Sequence, residues 1–257
     1  CDWSSDVCSS DLITTIFYMK TALVTGGAHR IGQQICRTLH EANFTIIIHY
    51  NTSSIDAENL ANEFNLIRAN SARTIQAELS NIKDIEQLCQ TIESLDLLVN
   101  NASVFYPTPI NSLTLSDYQT TMNTNLMGPL FLSSTLSKKL SENQGSIVNI
   151  VDIHGDRPLK NHTIYNISKA AIAMMTKTLA KELAPNIRVN GVSPGSILWP
   201  ENEAELSHDQ KQSMLNKIAL NKQGAATDIA NTVLFLAQSD YITGQIIAVD
   251  GGRSLNQ

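Results

Sequence analysis

The segment TALVTGGAHRIGQQIC, residues 21–36, carries the pattern that decides the fold of this chain. The apolar run before Thr25 predicts a buried β-strand, the pair Gly26–Gly27 predicts a tight turn, and the spacing from Ile31 onward predicts a helix. Such a turn directs backbone N–H groups and a helix N-terminus to one place, as a bound pyrophosphate requires. Tight turns need glycine whatever they bind, so this segment alone leaves a purely structural turn open.

The rest of the chain repeats the alternation of strand and helix. Strand patterns lie at 20–25, 44–50, 73–79, 95–101, 146–152, 187–193 and 245–252. Helical patterns lie between them at 31–42, 55–66, 83–93, 117–140, 164–184 and 227–238. The run TIIIHY is apolar on both faces, which is typical of a parallel strand covered by helices on both sides. We therefore predict a single α/β domain with a doubly wound, Rossmann-type sheet of seven parallel strands.

One segment interrupts the alternation. Residues 199–224 are polar, with the acidic stretch PENEAELSHDQ near their start. In the predicted topology this segment follows the sixth strand and emerges at the carboxyl edge of the sheet, where ligands bind. We interpret it as a flap that covers a substrate.

Length and composition fit one domain with a full-sized core, since the chain has 257 residues and is 42% hydrophobic. The opening DWSSDVCSSDL resembles a translated sequencing adapter, so we interpret 1–18 as a non-native extension and 19–257 as the domain; a short disordered tail is the alternative. Setting aside the three aspartates of 1–18 changes the formal net charge from −6 to −3.

This charge distribution provides no basic patch for nucleic acid, and no polybasic or long apolar segment for a membrane. Cys36 and Cys89 lie in helical patterns and are expected to be buried, reduced thiols, because neither disulfide nor zinc spacing is present. A cytoplasmic location is expected.

From Met19 onward the chain resembles the short-chain dehydrogenase/reductase family. Gly26 and Gly32 match the first and last glycines of the family's Thr-Gly-x-x-x-Gly-x-Gly turn, and Arg30 replaces the middle glycine. Further matches are NNAS at 100–103, Asn125, Tyr165 with Lys169, SPG at 193–195 and the C-terminal ITGQIIAVDGG. A cation at a helix N-terminus is unfavourable without an anion, so Arg30 is expected to hold cofactor phosphate and to reach the substrate. An arginine directed into solvent is the alternative.

The loop HYNTSS, residues 49–54, contains no acid to repel a 2′-phosphate, which favours NADPH over NADH. Thr52 stands where the family places a phosphate-binding arginine, so His49, Asn51, Ser53 and Arg30 would supply the donors; a plain polar loop is the alternative. The resemblance implies the following cofactor-binding residues: Gly26, Arg30, Ile31, Gly32, His49, Tyr50, Asn51, Ser53, Glu78, Leu79, Asn101, Ala102, Ser103, Tyr165, Lys169, Pro194, Gly195, Ser196 and Ile197.

Tyr165 and Lys169 lie four residues apart, on one face of a predicted helix. The lysine ammonium and the nicotinamide charge are expected to lower the pKa of Tyr165 and make it a proton donor near neutral pH. Asp152 stands thirteen residues before the tyrosine, where most of the family has serine. Because a carboxylate would repel a developing alkoxide, Asp152 favours protonation of a ring nitrogen and reduction of a C=N bond.

Arg30, Ser103, Phe105 and Asp152 together resemble the pteridine reductase branch of the family, in which the phenylalanine stacks on a pterin. The resemblance implies the catalytic residues Asp152, Tyr165, Lys169 and Asn125, with Asn125 anchoring a relay water. It implies the substrate residues Arg30, Ser103, Phe105, Asp152, Tyr165 and Trp199, although Trp199 could equally serve packing. His154 and His162 lack matching partners for a metal, and no metal is expected.

The resulting prediction is an NADPH-dependent pteridine reductase that converts a dihydropterin or dihydrofolate-like molecule into its tetrahydro form. A carbonyl or 3-oxoacyl reductase is the first alternative, and a non-catalytic NADP(H)-binding sensor is the second. The resemblance also implies a homotetramer built through 117–140, 164–184 and the C-terminal strand.

Overall fold

The computed structural model describes residues 19–198 and 207–255, so Trp199 and the acidic start of the predicted flap lie outside the described residues. The described residues form seven strands: β1 Thr21–Val24, β2 Thr45–Tyr50, β3 Ala72–Gln76, β4 Leu97–Asn100, β5 Ser146–Ile150, β6 Arg188–Pro194 and β7 Ile246–Val249. Eight α-helices accompany them in these ranges: α1 Arg30–Glu41, α2 Ser54–Ile67, α3 Ile82–Gln90, α4 Leu115–Met122, α5 Gly128–Glu142, α6 Thr163–Glu182, α7 His208–Leu215 and α8 Ala226–Gln238.

The strands form one parallel sheet in the order β3-β2-β1-β4-β5-β6-β7, which confirms the predicted fold class. The order reverses direction between β1 and β4. In open α/β sheets the crevice at such a reversal, outside the carboxyl ends of the strands, is where ligands bind. The glycine turn after β1 and the NNAS segment at the end of β4 therefore lie beside each other.

Two apolar layers enclose the sheet because successive strand residues point to opposite faces. In β2, Ile46 and Ile48 join the core under α1, α2 and α8, whereas Ile47 joins the core under α3, α5 and α6. This explains why the strand is apolar throughout rather than alternating. Cys36 and Cys89 are buried free thiols, as predicted. In the described ranges no helix has the length and apolar character needed to cross a bilayer.

The helix predicted at 117–140 is a composite. A π-helical turn, Asn123–Met127, separates α4 from α5. π-Turns in helices occur frequently at functional sites, and this one carries Asn125.

A short helix also lies inside the predicted flap. It is α7, whose N-terminus is closed by reciprocal hydrogen bonds between Ser207 and Gln210. The sequence pattern did not reveal α7 because its polar residues form no apolar stripe.

Candidate active site

The glycine turn between β1 and α1 is shaped by close backbone approach. Gly26 has φ +61°, and a Cβ atom at Gly32 would lie 2.1 Å from the Gly26 carbonyl oxygen. Neither position tolerates a side chain in this geometry. Arg30 also has a left-handed backbone, at φ +51°, where the related motif has glycine. Arg30 therefore occupies a position whose backbone conformation favours glycine.

Thr25 links the glycine turn to the end of β4 by hydrogen bonds, a role that was not predicted from the sequence. Its hydroxyl oxygen accepts the backbone N–H groups of Asn101 (2.9 Å) and Ala102 (3.0 Å). The Asn101 side-chain amide donates to the carbonyl oxygens of Thr25 (2.8 Å) and Gly26 (3.1 Å). The sequence signal that could have revealed this role is the threonine of the family's Thr-Gly motif. These contacts place Asn101 and Ala102 beside the turn, where they were predicted to meet the cofactor.

His49 lies under the turn rather than at its surface. It is buried, its Nδ1 accepts the Gly26 N–H at 3.1 Å, and its Nε2 lies 3.1 Å from the Ala77 carbonyl oxygen. Since Nδ1 must accept, Nε2 carries the proton and donates to Ala77. Burial lowers the His49 pKa to about 4, so the ring is neutral at physiological pH. The prediction that His49 donates to a cofactor phosphate is wrong, because both ring nitrogens are engaged inside the fold.

The loop after β2 is contacted by the carboxylate of Glu78, which follows β3 in the chain. The Asn51 amide donates to Glu78 Oε2 at 2.6 Å, and the Ser80 N–H donates to Glu78 Oε1 at 3.0 Å. Leu79 beside it is buried, while Tyr50 is half-buried and Ser53 is only partly covered. The loop at 49–54 has no acid in its own sequence, but Glu78 lies beside it. Glu78 already accepts a hydrogen bond from Asn51, one of the predicted phosphate donors.

Tyr165, Lys169 and Asp152 come together at the carboxyl end of β5. The Tyr165 hydroxyl donates to Asp152 Oδ2 at 2.7 Å, and the His154 N–H donates to Asp152 Oδ1 at 2.8 Å. Lys169 Nζ donates to the Ile150 carbonyl at 3.0 Å and lies 5.5 Å from the centroid of the Tyr165 ring. Both carboxylate oxygens of Asp152 thus have donors, and the phenol is held on one of them.

The electrostatics of this cluster correct the expectation for Tyr165. Burial, and next the neighbouring Asp152 charge, raise the pKa of Tyr165 well above its ordinary value instead of lowering it. Burial lowers the pKa of Lys169 to about 8, against the opposing attraction of Asp152. Tyr165 therefore carries its proton at neutral pH. The cluster can deliver that proton to a bound acceptor while the carboxylate orients the phenol.

Asn125 fastens the loop after β4 to α6. It is buried, its Oδ1 accepts the Val104 N–H (2.8 Å), and its Nδ2 donates to the Val104 carbonyl (3.0 Å) and to Ser168 Oγ (3.1 Å). The side chain therefore sets the path of the segment that continues to Phe105. Its predicted role as a water anchor stays a prediction.

Phe105 lies against the tyrosine. Its ring is 55% exposed, stacks on His162 with centroids 4.7 Å apart and 15° between the planes, and meets the Tyr165 ring edge-on at 4.7 Å. Thr108 holds this loop: its N–H donates to the Asn161 carbonyl (2.6 Å), and its hydroxyl accepts the Ile164 N–H (3.3 Å). Neither His162 nor Thr108 has a local sequence signal that marks these contacts.

The remaining predicted residues border the same edge. Gly195 donates its N–H to the Val249 carbonyl at 3.0 Å, and a Cβ atom there would lie 2.6 Å from the Asp250 Cβ. Ser196 accepts the Gly224 N–H at 3.1 Å. Pro194 ends β6 and Ile197 is buried, whereas Arg30 and Ser103 are exposed. The predicted substrate residue Trp199 lies outside the described residues.

The two histidines near Asp152 bind backbone. His154 Nδ1 lies 2.9 Å from the Arg157 carbonyl, and His162 Nδ1 lies 2.9 Å from the Lys160 carbonyl. Within 19–198 and 207–255, no group of three or more His, Cys, Asp or Glu side chains is placed to hold a metal ion.

Comparison with known proteins gives matches along nearly the whole chain. A family model described as "Enoyl-(Acyl carrier protein) reductase" matches residues 26–254. "Pteridine reductase 1" of Leishmania tarentolae is 32% identical, with 95% of this chain and all of that protein covered.

Two proteins named "3-oxoacyl-[acyl-carrier-protein] reductase FabG" are similarly close. The one from Aquifex aeolicus is 34% identical, with 91% of this chain and 96% of that protein covered. The one from Staphylococcus epidermidis is 35% identical, with 91% and 98% covered.

Proposed function

The chain belongs to the short-chain dehydrogenase/reductase family, and from this premise we propose that it is an NADPH-dependent pteridine reductase. It reduces a C=N bond of a dihydropterin and yields a tetrahydropterin. The observation that carries the proposal is the 2.7 Å hydrogen bond from the Tyr165 hydroxyl to Asp152.

The carboxylate decides between the two kinds of reducible bond. A carbonyl substrate becomes an alkoxide as hydride arrives, and Asp152 would repel that negative charge. A ring nitrogen needs a proton instead, and the N–H groups of a pterin need an acceptor. Tyr165 holds a proton at neutral pH, and Asp152 accepts hydrogen bonds, so the pair suits the nitrogen substrate.

The flat ring of Phe105 supports a heterocyclic substrate. Its ring is 55% exposed and meets the Tyr165 ring edge-on. Offset stacking of such a ring on a planar heterocycle is favourable by about 0.5–1.5 kcal/mol beyond burial. Arg30 and Ser103 provide exposed polar groups at the same edge of the sheet. A planar ring with several N–H and C=O groups needs this combination of one stacking surface and a few polar contacts.

The glycine turn after β1 supports binding of a dinucleotide, because the turn leaves no room for side chains at Gly26 and Gly32. The collision of a Cβ atom at Gly32 with Gly26 marks a turn built for close approach at the start of α1. NADPH supplies the hydride when bound. In this proposal Gly26 and Gly32 admit the pyrophosphate, Arg30 contacts phosphate, and Lys169 holds the nicotinamide ribose and limits the position of Tyr165.

With NADPH bound, a ring carbon would receive its hydride and Tyr165 would give one proton to the adjacent ring nitrogen. The C=N π bond would be lost, one C–H and one N–H bond would form, and NADP⁺ would be released. Tyr165 would then be reprotonated from solvent.

The alternative of a 3-oxoacyl or other carbonyl reductase rests on the two FabG relatives. Asp152 argues against it because such a reaction favours a hydroxyl donor at that position. A non-catalytic NADP(H)-binding sensor would have no need for the Tyr165–Lys169 pair.

The test is a substrate panel. Purified protein is mixed with NADPH and with dihydromonapterin, dihydrobiopterin, dihydrofolate or 3-oxoacyl esters, and oxidation of NADPH is followed by absorbance. We expect turnover of at least one dihydropterin and competitive inhibition by methotrexate, a flat antifolate. Turnover of 3-oxoacyl esters without pterin turnover would support the carbonyl reductase, and nucleotide binding without turnover would support the sensor.

A further inference from the structure

The C-terminal turn Asp250–Ser254 joins segments that border the active site. Asp250 closes the turn by accepting the N–H groups of Gly252 (2.9 Å) and Ser254 (2.6 Å). Gly251 and Gly252 have φ +61° and +79°, so the turn has a compact, glycine-dependent shape. Its position next to the site comes from its packing partners.

Two of these partners come from the segments that follow β6. A Cβ atom at Gly195 would lie 2.6 Å from the Asp250 Cβ, which shows how closely the loop after β6 packs on the turn. The Leu220 N–H donates to the Gly251 carbonyl at 3.0 Å, so the chain after α7 also rests on the turn. The turn therefore connects the predicted nicotinamide loop with the end of the predicted flap.

Arg157 adds the third partner. Its Nη1 group donates to the Arg253 carbonyl at 3.0 Å and to the Ser254 carbonyl at 2.7 Å, although these residues are nearly a hundred positions apart in sequence. A charged guanidinium bound to two carbonyls makes stronger hydrogen bonds than a neutral donor and fixes direction.

The loop that carries Arg157 is the loop that carries Asp152. The Asp152 side chain caps the short helical turn Ile153–Gly155, the Arg157 N–H donates to the Ile153 carbonyl at 2.9 Å, and His154 Nδ1 donates to the Arg157 carbonyl at 2.9 Å. Displacement of Arg157 is therefore transmitted to the turn that orients the carboxylate.

We propose that Arg157 is a positioning residue: its guanidinium, anchored on the carbonyls of Arg253 and Ser254, holds Asp152 in register with Tyr165. The inference rests on the proposed function of Asp152 and Tyr165 in proton delivery. It assigns to the C-terminal turn the task of keeping the proton-delivering loop and the nicotinamide loop in one arrangement.

The test compares three variants with the wild type. Arg157→Met removes the guanidinium and keeps the bulk, and we expect kcat for the dihydropterin to fall about 10- to 100-fold, the scale of a displaced catalytic group. The Kd of NADPH and the KM of the pterin should stay within about threefold. Arg157→Lys retains a cation that can bind one carbonyl and should recover most of kcat.

Arg188→Met is the matched control. Arg188 also donates to two carbonyls, those of Leu236 and Ala237, both at 2.8 Å, but it begins β6 at the opposite edge of the sheet. We expect it to lower the midpoint of thermal unfolding and to leave kcat unchanged. Equal losses of kcat in the Arg157 and Arg188 variants, or wild-type kcat in Arg157→Met, would overturn the inference.

Failure of the proposed function gives a different result, which is absence of pterin turnover by the wild type. In that case hydrogen exchange of the peptide that contains His154 tests, without substrate, whether Arg157 holds this loop in place. The backbone N–H of His154 donates to Asp152. Arg157→Met should speed that exchange, Arg157→Lys should restore the protection, and Arg188→Met should not change it; unchanged exchange in Arg157→Met would overturn the anchor.

Discussion

At the scale of single residues, Asp152 uses its two carboxylate oxygens for two different contacts. One oxygen caps the turn that follows β5, and the other accepts the hydrogen bond from the Tyr165 hydroxyl. A serine hydroxyl can occupy the same place and cap the same turn, so the fold does not depend on the carboxylate. The chemistry of a ring nitrogen does depend on it.

Asp152→Ser should therefore separate folding from activity. We expect unchanged NADPH binding and a drop of about 100-fold or more in pterin turnover, the usual effect of removing a participant in proton transfer. Asp156→Ser, at an exposed acid of the same loop, is the control and should keep wild-type turnover. Wild-type pterin reduction by the Asp152 variant would contradict the assignment.

The buried ammonium of Lys169 makes stability depend on pH. Burial lowers its pKa from 10.5 to about 8, so between these values the unfolded chain holds a proton that the folded chain has released. The unfolding free energy of the wild type should therefore rise with pH across this window, relative to Lys169→Met, by on the order of 3 kcal/mol. The penalty for burying the charge is fully present below pH 8.

Chemical denaturation of the nucleotide-free protein at several pH values measures this difference, and Tyr165 is present in both proteins. Lys177→Met, at an exposed position on the same helix, should follow the wild type at every pH. A constant difference between wild type and Lys169→Met from pH 8 to 10.5 would contradict the prediction.

The choice of nucleotide depends on the loop after β2 and on Glu78. We expect the KM of NADPH to lie at least tenfold below that of NADH, about 1.4 kcal/mol of discrimination. Thr52→Arg should widen the gap by adding a phosphate donor. Glu78→Gln should also widen it, because it removes the carboxylate bound to Asn51. Similar KM values for both nucleotides in the wild type would contradict the NADPH assignment.

At the scale of elements, the loop between β4 and α4 is fastened to the start of α6. Thr108 is buried, pairs with Asn161 and accepts the N–H of Ile164, which lies in the first turn of α6. The element that carries Phe105 is thereby held to the element that carries Tyr165. We therefore expect the position of the stacking ring relative to the proton donor to depend on Thr108.

Thr108→Val removes the hydroxyl with little change of shape. The Ile164 N–H is left without its acceptor, which costs about 1–3 kcal/mol of unfolding free energy. We expect the KM of the pterin to rise several-fold while the KM of NADPH is unchanged, measured by steady-state kinetics and denaturant unfolding. Thr108→Ser keeps the hydroxyl and should restore both quantities; an unchanged pterin KM in the valine variant would speak against this coupling.

At the scale of the whole molecule, apolar side chains remain exposed on the helices that were expected to build an oligomer. They are Leu115, Tyr118, Leu130, Phe131, Ile167 and Met174. Contiguous exposed apolar surface marks protein–protein contacts, and we expect these side chains to lie in the interfaces of the proposed homotetramer.

The proposed homotetramer can be tested by analytical sedimentation at micromolar concentration. We expect a tetramer for the wild type and smaller species for Phe131→Glu, because a charge on α5 would be buried without a partner. Leu66→Glu, at an exposed position on α2, should sediment as the wild type does. A monomeric wild type would contradict the assembly.

The sequence by itself determined the order of strands and helices, the parallel sheet and the glycine turn. These features depend on patterns within a few residues: an apolar run long enough for a strand, glycines where the backbone must turn, and helical spacing after them. Tyr165 and Lys169 are equally local, since one turn of α6 separates them. Asp152 was identified because it departs from the pattern of the family.

Only the tertiary structure decided how distant residues share the site. It placed His49 beneath Gly26, brought Glu78 to Asn51, stacked His162 on Phe105 and anchored Arg157 on the C-terminal turn. It also reversed the expected shift of the Tyr165 pKa, because burial and the adjacent Asp152 favour the neutral phenol. Strand order and loop packing bring together residues tens of positions apart, and no periodicity in the chain records which side chains then meet.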